Sequence, residues 1–169
     1  MNIVLSTWNN ADENGATEAM LACCGAHRWA EQMVGLRPIA NIPALSEAAD
    51  RVWATMAEPD WMEAFARHPR IGERKAAAAS EKSTAWSAQE QAGTSSAANN
   101  IMRELAEGNA LYEQRFGFTY IVCATGKSAD EMLTILKRRL ANGRMAELKE
   151  AAEQQRQILQ IRLGKWLLS

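Results

Sequence analysis

The last stretch of the chain, from about Arg144 to Leu168, constrains the fold most, because its apolar residues recur at helical spacing along its whole length. At about 100° per residue, Leu148, Ala152, Leu159, Leu163 and Trp166 fall in one narrow stripe. A helix with a single apolar stripe must bury it against other elements. The rest of the chain offers mostly helices for that purpose. Apolar periodicity runs from Thr17 to Val34, interrupted around Gly25 and closed before Pro38. Leu45 to Met56 reads as a further helix, opened by Ser46 with Glu47 in its first turn. Pro59 suits the first turn of the next helix, which carries Trp61, Met62 and Phe65. That helix should end at or near His68, because Pro69 disfavours helical geometry at the residue before it.

Two Ser-x-x-Glu pairs, Ser87 to Glu90 and Ser128 to Glu131, have the form of a capping box. A helix from about Ala97 to Phe116 follows the first, and the second opens Met132-Leu133-x-x-Leu136, which Asn142-Gly143 breaks. Only Phe116-Gly117-Phe118-Thr119-Tyr120-Ile121-Val122 has strand-like composition, and no partner strand is evident. It should run extended over a buried surface with backbone amides left for some other acceptor. The expected architecture is all-α: one domain, a bundle of about eight helices, with a short extended segment near 118–124. Residues 73–83 are small and polar and read as a mobile surface segment that could act as a lid.

The 169 residues suffice for one domain with a sizeable core, and 47% hydrophobic with 23% charged residues is ordinary for a soluble globular protein. A net charge of −1 argues against nucleic acid or an acidic membrane surface as partner. Locally, Arg67, Arg70, Arg74, Lys75 and Lys82 surround the His-Pro turn, diluted by Glu73 and Glu81. That suits a small anionic ligand, and equally a solvated charged face. The three cysteines (Cys23 and Cys24 adjacent, Cys123 in an apolar run) form no CxxC pair, and with two histidines they assemble no usual metal-ligand set. Met1 to Leu5 carries no signal-peptide pattern, and no apolar run approaches the roughly 20 residues of a membrane helix. A soluble protein of a reducing compartment, the cytoplasm, is expected.

Three side chains stand out as chemistry. His68 sits where a helix must stop, held by the stiff Pro69 turn, and an imidazole titrating near neutral pH is a ready proton donor or acceptor. Glu90 belongs to the first capping box. Arg162 flanks the apolar stripe of the last helix, where a guanidinium needs a partner or a ligand. Each also has a plain structural reading: a helix C-cap, a capping carboxylate and a snorkelling arginine. Arg156 flanks the stripe on the other side, so periodicity does not choose between the two arginines.

The order and spacing of His68-Pro69-Arg70-Ile71-Gly72, Ser87-x-x-Glu90-Gln91, Asn109-x-x-Tyr112-x-x-x-Phe116-Gly117-Phe118 and Ile158-x-x-x-Arg162-Leu163 resemble the 2-oxo-4-hydroxy-4-carboxy-5-ureidoimidazoline (OHCU) decarboxylase family. The likeness extends from Trp29 and Arg37-Pro38 to the last helix. The chain departs from the family at Thr119-Tyr120, where Pro-Phe is usual. The resemblance implies an all-helical single domain, commonly a homodimer, that follows uricase and hydroxyisourate hydrolase in urate breakdown. It would remove carbon dioxide from the ureidoimidazoline to give (S)-allantoin, with no cofactor and no metal. By the same resemblance His68 is the acid/base group, Glu90 fixes the imidazole or a ring N–H, and Arg162 holds carboxylate or carbonyl oxygens. Ser87 and Gln91 would bond the ring or ureido group, Pro69 would close the wall beside His68, and the backbone of Tyr120, Ile121, Val122, Cys123 and Ala124 would supply amide contacts. A non-catalytic helical binding module, or another cofactor-free lyase or tautomerase acting on a related ureido ring, are the alternatives. The presence of His68, Glu90 and Arg162 together favours the decarboxylase.

Overall fold

The computed structural model describes residues 1–71 and 99–169, and these form eight helices and no strand. They are α1 (Ile3–Asn10), α2 (Glu13–Cys23), α3 (His27–Gly35), α4 (Ile42–Trp53), α5 (Glu58–Ala66), α6 (Asn99–Phe116), α7 (Ala129–Arg139) and α8 (Arg144–Trp166). The lid segment 73–83 and the first capping box, with Ser87, Glu90 and Gln91, lie outside the described residues.

The chain divides into two compact units, 1–64 with 156–169, and 65–155. In the first unit α2 packs on α1 and α3, and α3 on α4. Helix α1 is an element that periodicity did not reveal. It is started by Asn2, whose side chain accepts from the Leu5 amide at 2.9 Å and donates to the Leu167 carbonyl at 3.0 Å. Trp8 on α1 meets Trp166 edge-on, with ring centroids 6.0 Å apart, and donates from its indole to the Ala16 carbonyl. The start of α4 lies four residues earlier than the Ser46 reading. Asn41 caps the Ala44 amide and Pro43 occupies the first turn, so capping outranked the apolar pattern there. Arg37 is a structural arginine, donating to the carbonyls of Trp8, Ala11 and Val34.

In the second unit α6 packs on α7. The approach is close at Gly108, where an added Cβ would lie 2.5 Å from Leu136 Cδ2. Gly117 ends α6 in a left-handed conformation (φ 82°), and its amide returns to the Glu113 carbonyl at 2.8 Å. That turn releases the chain into the extended run 118–124. Its side chains are buried from Tyr120 through Ala124, and Phe118 stacks in a cluster with Phe65, Tyr112 and Phe116. Ser128 caps α7 through the Glu131 amide, one half of the expected capping box, and its hydroxyl donates to the Glu131 carboxylate at 3.3 Å. The apolar stripe of α8 is buried throughout, from Leu148 to Trp166.

Candidate functional site

Helix α5 stops at Ala66, and the amide of His68 closes the turn on the Phe65 carbonyl at 3.1 Å. Pro69 behind it is buried, so the imidazole is presented from a stiff turn, itself only partly buried. Its Nε2 lies 2.6 Å from Oε1 of Gln155, a fully buried residue of α8. Sequence reasoning missed Gln155. The signal was present, since Gln155 sits one helical turn from both Ala151 and Leu159 and so shares a face with the core positions.

The extended run is held by side chains where a sheet would have used strands. Arg139 Nη1 donates to the Ile121 carbonyl, the Tyr120 hydroxyl donates to the Met132 carbonyl at 3.0 Å, and Lys127 Nζ donates to the Cys123 carbonyl at 2.7 Å. The Cys123 amide is already committed, donating to Gln154 Oε1 at 2.8 Å. The expectation that this stretch leaves its amides for an outside acceptor therefore needs narrowing at Cys123. Adjacent glutamines of α8 thus tie down both elements, Gln154 the extended run and Gln155 the histidine.

Behind that run lies a second polar group that sequence reasoning also missed. Arg139 and Glu147, both fully buried, are bridged at 2.6 Å from Nε to Oε1, and Tyr112 donates its hydroxyl to the same carboxylate. Burial, opposed by the nearby Arg139 cation, drives the Tyr112 and Tyr120 phenols far above their ordinary range, so both stay protonated hydrogen-bond donors.

In the first unit, Arg162 is 2% exposed whereas the Arg156 side chain is 34% exposed and pairs with Asp50 at 3.3 Å, a distinction that periodicity left open. Cys24 is fully buried, and burial pushes its thiol up to about 12 against the opposing pull of Arg162. The basic surround of the His-Pro turn is partly neutralised. Arg70 grips Glu113 bidentately at 2.6 and 2.9 Å, which leaves Arg70 poorly suited to an incoming anion. The Arg70 hydrogen bond holds the Glu113 carboxyl below the usual carboxylate range. No three His, Cys, Asp or Glu side chains gather as a metal site among the described residues, and none of their helices is long and apolar enough to cross a membrane.

Of the expected site residues, His68, Pro69 and 120–124 fall in the second unit and Arg162 in the first. A groove of about 510 Å³ lies elsewhere, between the start of the chain and residues 38–43, and holds none of them.

The helical arrangement of the described residues matches a known class. A family model described as OHCU decarboxylase matches residues 9–164, and the chain belongs to that family. It is 37% identical over 146 residues to the uric acid degradation bifunctional protein TTL of Arabidopsis thaliana, covering 85% of this chain and 44% of that protein. It therefore spans less than half the length of that relative. It is 21% identical over 165 residues to the 2-oxo-4-hydroxy-4-carboxy-5-ureidoimidazoline decarboxylase of Haloferax volcanii, covering 96% and 95% of the two. A crystal structure of an OHCU decarboxylase in the presence of (S)-allantoin superposes with a TM-score of 0.77 at 31% identity, over 90% of this chain and 99% of that one.

Proposed function

We propose that this chain, acting as one domain, converts 2-oxo-4-hydroxy-4-carboxy-5-ureidoimidazoline to (S)-allantoin and carbon dioxide in urate degradation, without a cofactor. The observation that carries the reading is the match of the family model across residues 9–164, and the motif resemblance around His68, Glu90 and Arg162 supports it.

The chemistry asks little of the protein beyond placement. The departing carboxylate sits on a carbon next to a ring C=N bond. As the carbon–carbon bond breaks and carbon dioxide leaves, its electron pair moves into that C=N. The nitrogen takes up a proton, and the resulting enol becomes (S)-allantoin as its hydroxyl gives up a proton and the former C=N carbon, which carries the ureido group, gains one from a single face. His68 is the group that exchanges the proton with the substrate, and its stiff turn limits the directions from which the imidazole can approach. Arg162 grips the carboxylate or carbonyl oxygens in a planar fork, and its burial makes that grip stronger than in water. Glu90 fixes the imidazole or a ring N–H, Ser87 and Gln91 bond the ring or ureido group, and Pro69 and the 120–124 backbone, less the committed Cys123 amide, form a wall. The working form is a homodimer, and the compartment is the cytoplasm.

The test supplies freshly made substrate, generated from urate with uricase and hydroxyisourate hydrolase, and follows optical activity. The chain should accelerate the appearance of (S)-allantoin. Formation of racemic allantoin at the spontaneous rate would remove the proposal, and tight binding of allantoin without turnover would replace it with the binding-module reading.

A further inference from the structure

The buried amide beside His68 is only half used. Gln155 is 0% exposed and its Oε1 meets the imidazole, yet its Nε2 finds no hydrogen-bond partner among the described residues. A buried amide donor left unpaired forfeits the bonds it had in water, a loss that folded proteins tolerate rarely and for a reason. An apolar residue of similar size would fill the position without that loss. The spare donor lies on the same amide group that holds the histidine, one side chain away from the partly exposed imidazole.

We propose that Gln155 is a two-ended positioning residue: its oxygen holds the His68 ring protonated at Nε2, and its free nitrogen donates a hydrogen bond to an oxygen of the bound ureidoimidazoline. The inference rests on the proposed function for the identity of the ligand, but its first half concerns the unliganded protein alone. An acceptor 2.6 Å from Nε2 selects the neutral tautomer with its proton there, and so places the ring's lone pair on Nδ1. The second half follows from the chemistry of the substrate, which is rich in carbonyl and carboxylate oxygens and would satisfy a lone N–H on arrival. The amide is thus idle in the empty protein and complete only in the complex. Turning the amide over would put its nitrogen on the ring, leave its oxygen idle and demand the opposite tautomer, so the tautomer discriminates between the two arrangements.

Nitrogen-15 spectra of the two histidines, with exposed His27 as internal reference, read the tautomer directly in the wild-type protein. His68 should be protonated at Nε2 when neutral, and a neutral ring protonated at Nδ1 overturns the assignment. Gln155→Met removes both ends of the contact. It should let the tautomer drift toward a mixture, raise KM about tenfold for the lost bond to substrate, and lower kcat. Gln155→Glu keeps an acceptor for His68 and removes the donor. Nε2 should stay protonated and kcat should recover toward wild type while KM stays about tenfold high. Wild-type KM in both variants overturns the substrate contact and leaves the decarboxylase reading standing. A wild-type protein with no decarboxylase activity overturns that reading instead, and the His68 tautomer, read without substrate, still decides the positioning half. If neither variant folds, the Gln155 side-chain amide resonances of the wild-type protein must move on adding (S)-allantoin. Their failure to move at a concentration that shifts His68 counts against the contact.

Discussion

Two buried polar groups in the second unit are built on opposite plans. Around Arg139, the carboxylate of Glu147 accepts from both the guanidinium and the Tyr112 hydroxyl, Ile121 supplies a carbonyl, and Asn142 closes the second carboxylate oxygen at 3.0 Å. Around His68, Gln155 brings one amide with a spare donor. A closed network in a low dielectric specifies one arrangement and has nothing left for a ligand. An open one carries a standing cost that a ligand can relieve. The difference separates polar groups that hold the fold from polar groups that await chemistry.

The largest expected effect tests the open group. His68→Asn should lower the decarboxylation rate by about 10²–10⁴-fold, the usual cost of losing a general acid or base, while the fold survives with a loss of about 1–3 kcal/mol from the unpaired Gln155 oxygen. Parent activity in a folded variant would make His68 a structural cap and would erase the difference between the two groups.

The closed group should fail in the opposite sense. Glu147→Leu leaves the Arg139 cation buried without its carboxylate, a change that costs about 3–5 kcal/mol in comparable sites. Denaturant unfolding should show a loss of that size, and the run 120–124 should lose amide protection because Arg139 also holds the Ile121 carbonyl. A stable variant with reduced activity alone would show that the network serves catalysis more than folding.

The two plans were unequally legible in the sequence. The helices of α6, α7 and α8 follow from apolar spacing, and the Ser128 cap and the Asn142-Gly143 break from local chemistry, because both are interactions within a few residues. The extended run was legible as buried and sheet-less. Its anchors were not: Arg139, Gln154 and Glu147 reach it from 18 to 31 residues away or through one another, and no local pattern encodes such pairings. Helix α1 was missed although its Asn2 cap is local, because its eight residues carry too short an apolar pattern, with Leu5 and Trp8 its buried positions. His68 and Arg162 were found because a proline and a helical stripe mark their places. Gln155 carries only a positional mark, one turn from Ala151 and Leu159, and nothing in that spacing tells which side chain its amide holds.

Two arginines of the first unit offer a finer comparison. Arg162→Lys keeps the charge but loses the planar fork, and should lower kcat/KM about ten- to a hundredfold, or roughly 1.5–3 kcal/mol for a charged hydrogen bond. Arg156→Lys, whose parent side chain is a third exposed and pairs with Asp50 at 3.3 Å, should leave kcat/KM within a factor of two or so. Equal losses from both would mean that the buried guanidinium is not the one that meets the substrate.

The smallest effect belongs to the rim of the closed group, where Arg138 and Glu150 pair at 2.6 Å one position along α7 from Arg139. The two pairs differ in solvent: Arg139 and Glu147 are fully buried, whereas the side chains of Arg138 and Glu150 are 58% and 28% exposed. Water and salt screen the outer pair, so Glu150→Gln should cost about 0.2–1 kcal/mol at neutral pH. The Arg138 hydrogen bond holds the Glu150 carboxyl below the usual carboxylate range. A carboxylate depressed in the folded state adds stability above its unfolded pKa of about 4.5, and that stability fades as pH falls through the lower folded value. The Tm difference between wild type and Glu150→Gln should therefore be present at pH 7 and fade progressively as pH falls below about 4.5. It should also shrink in high salt at pH 7. A difference that survives both acid and salt would mean that Glu150 acts mainly through its bond to Asn142 at 3.1 Å, as a part of the closed network, and would move the boundary between rim and core inward by one residue pair.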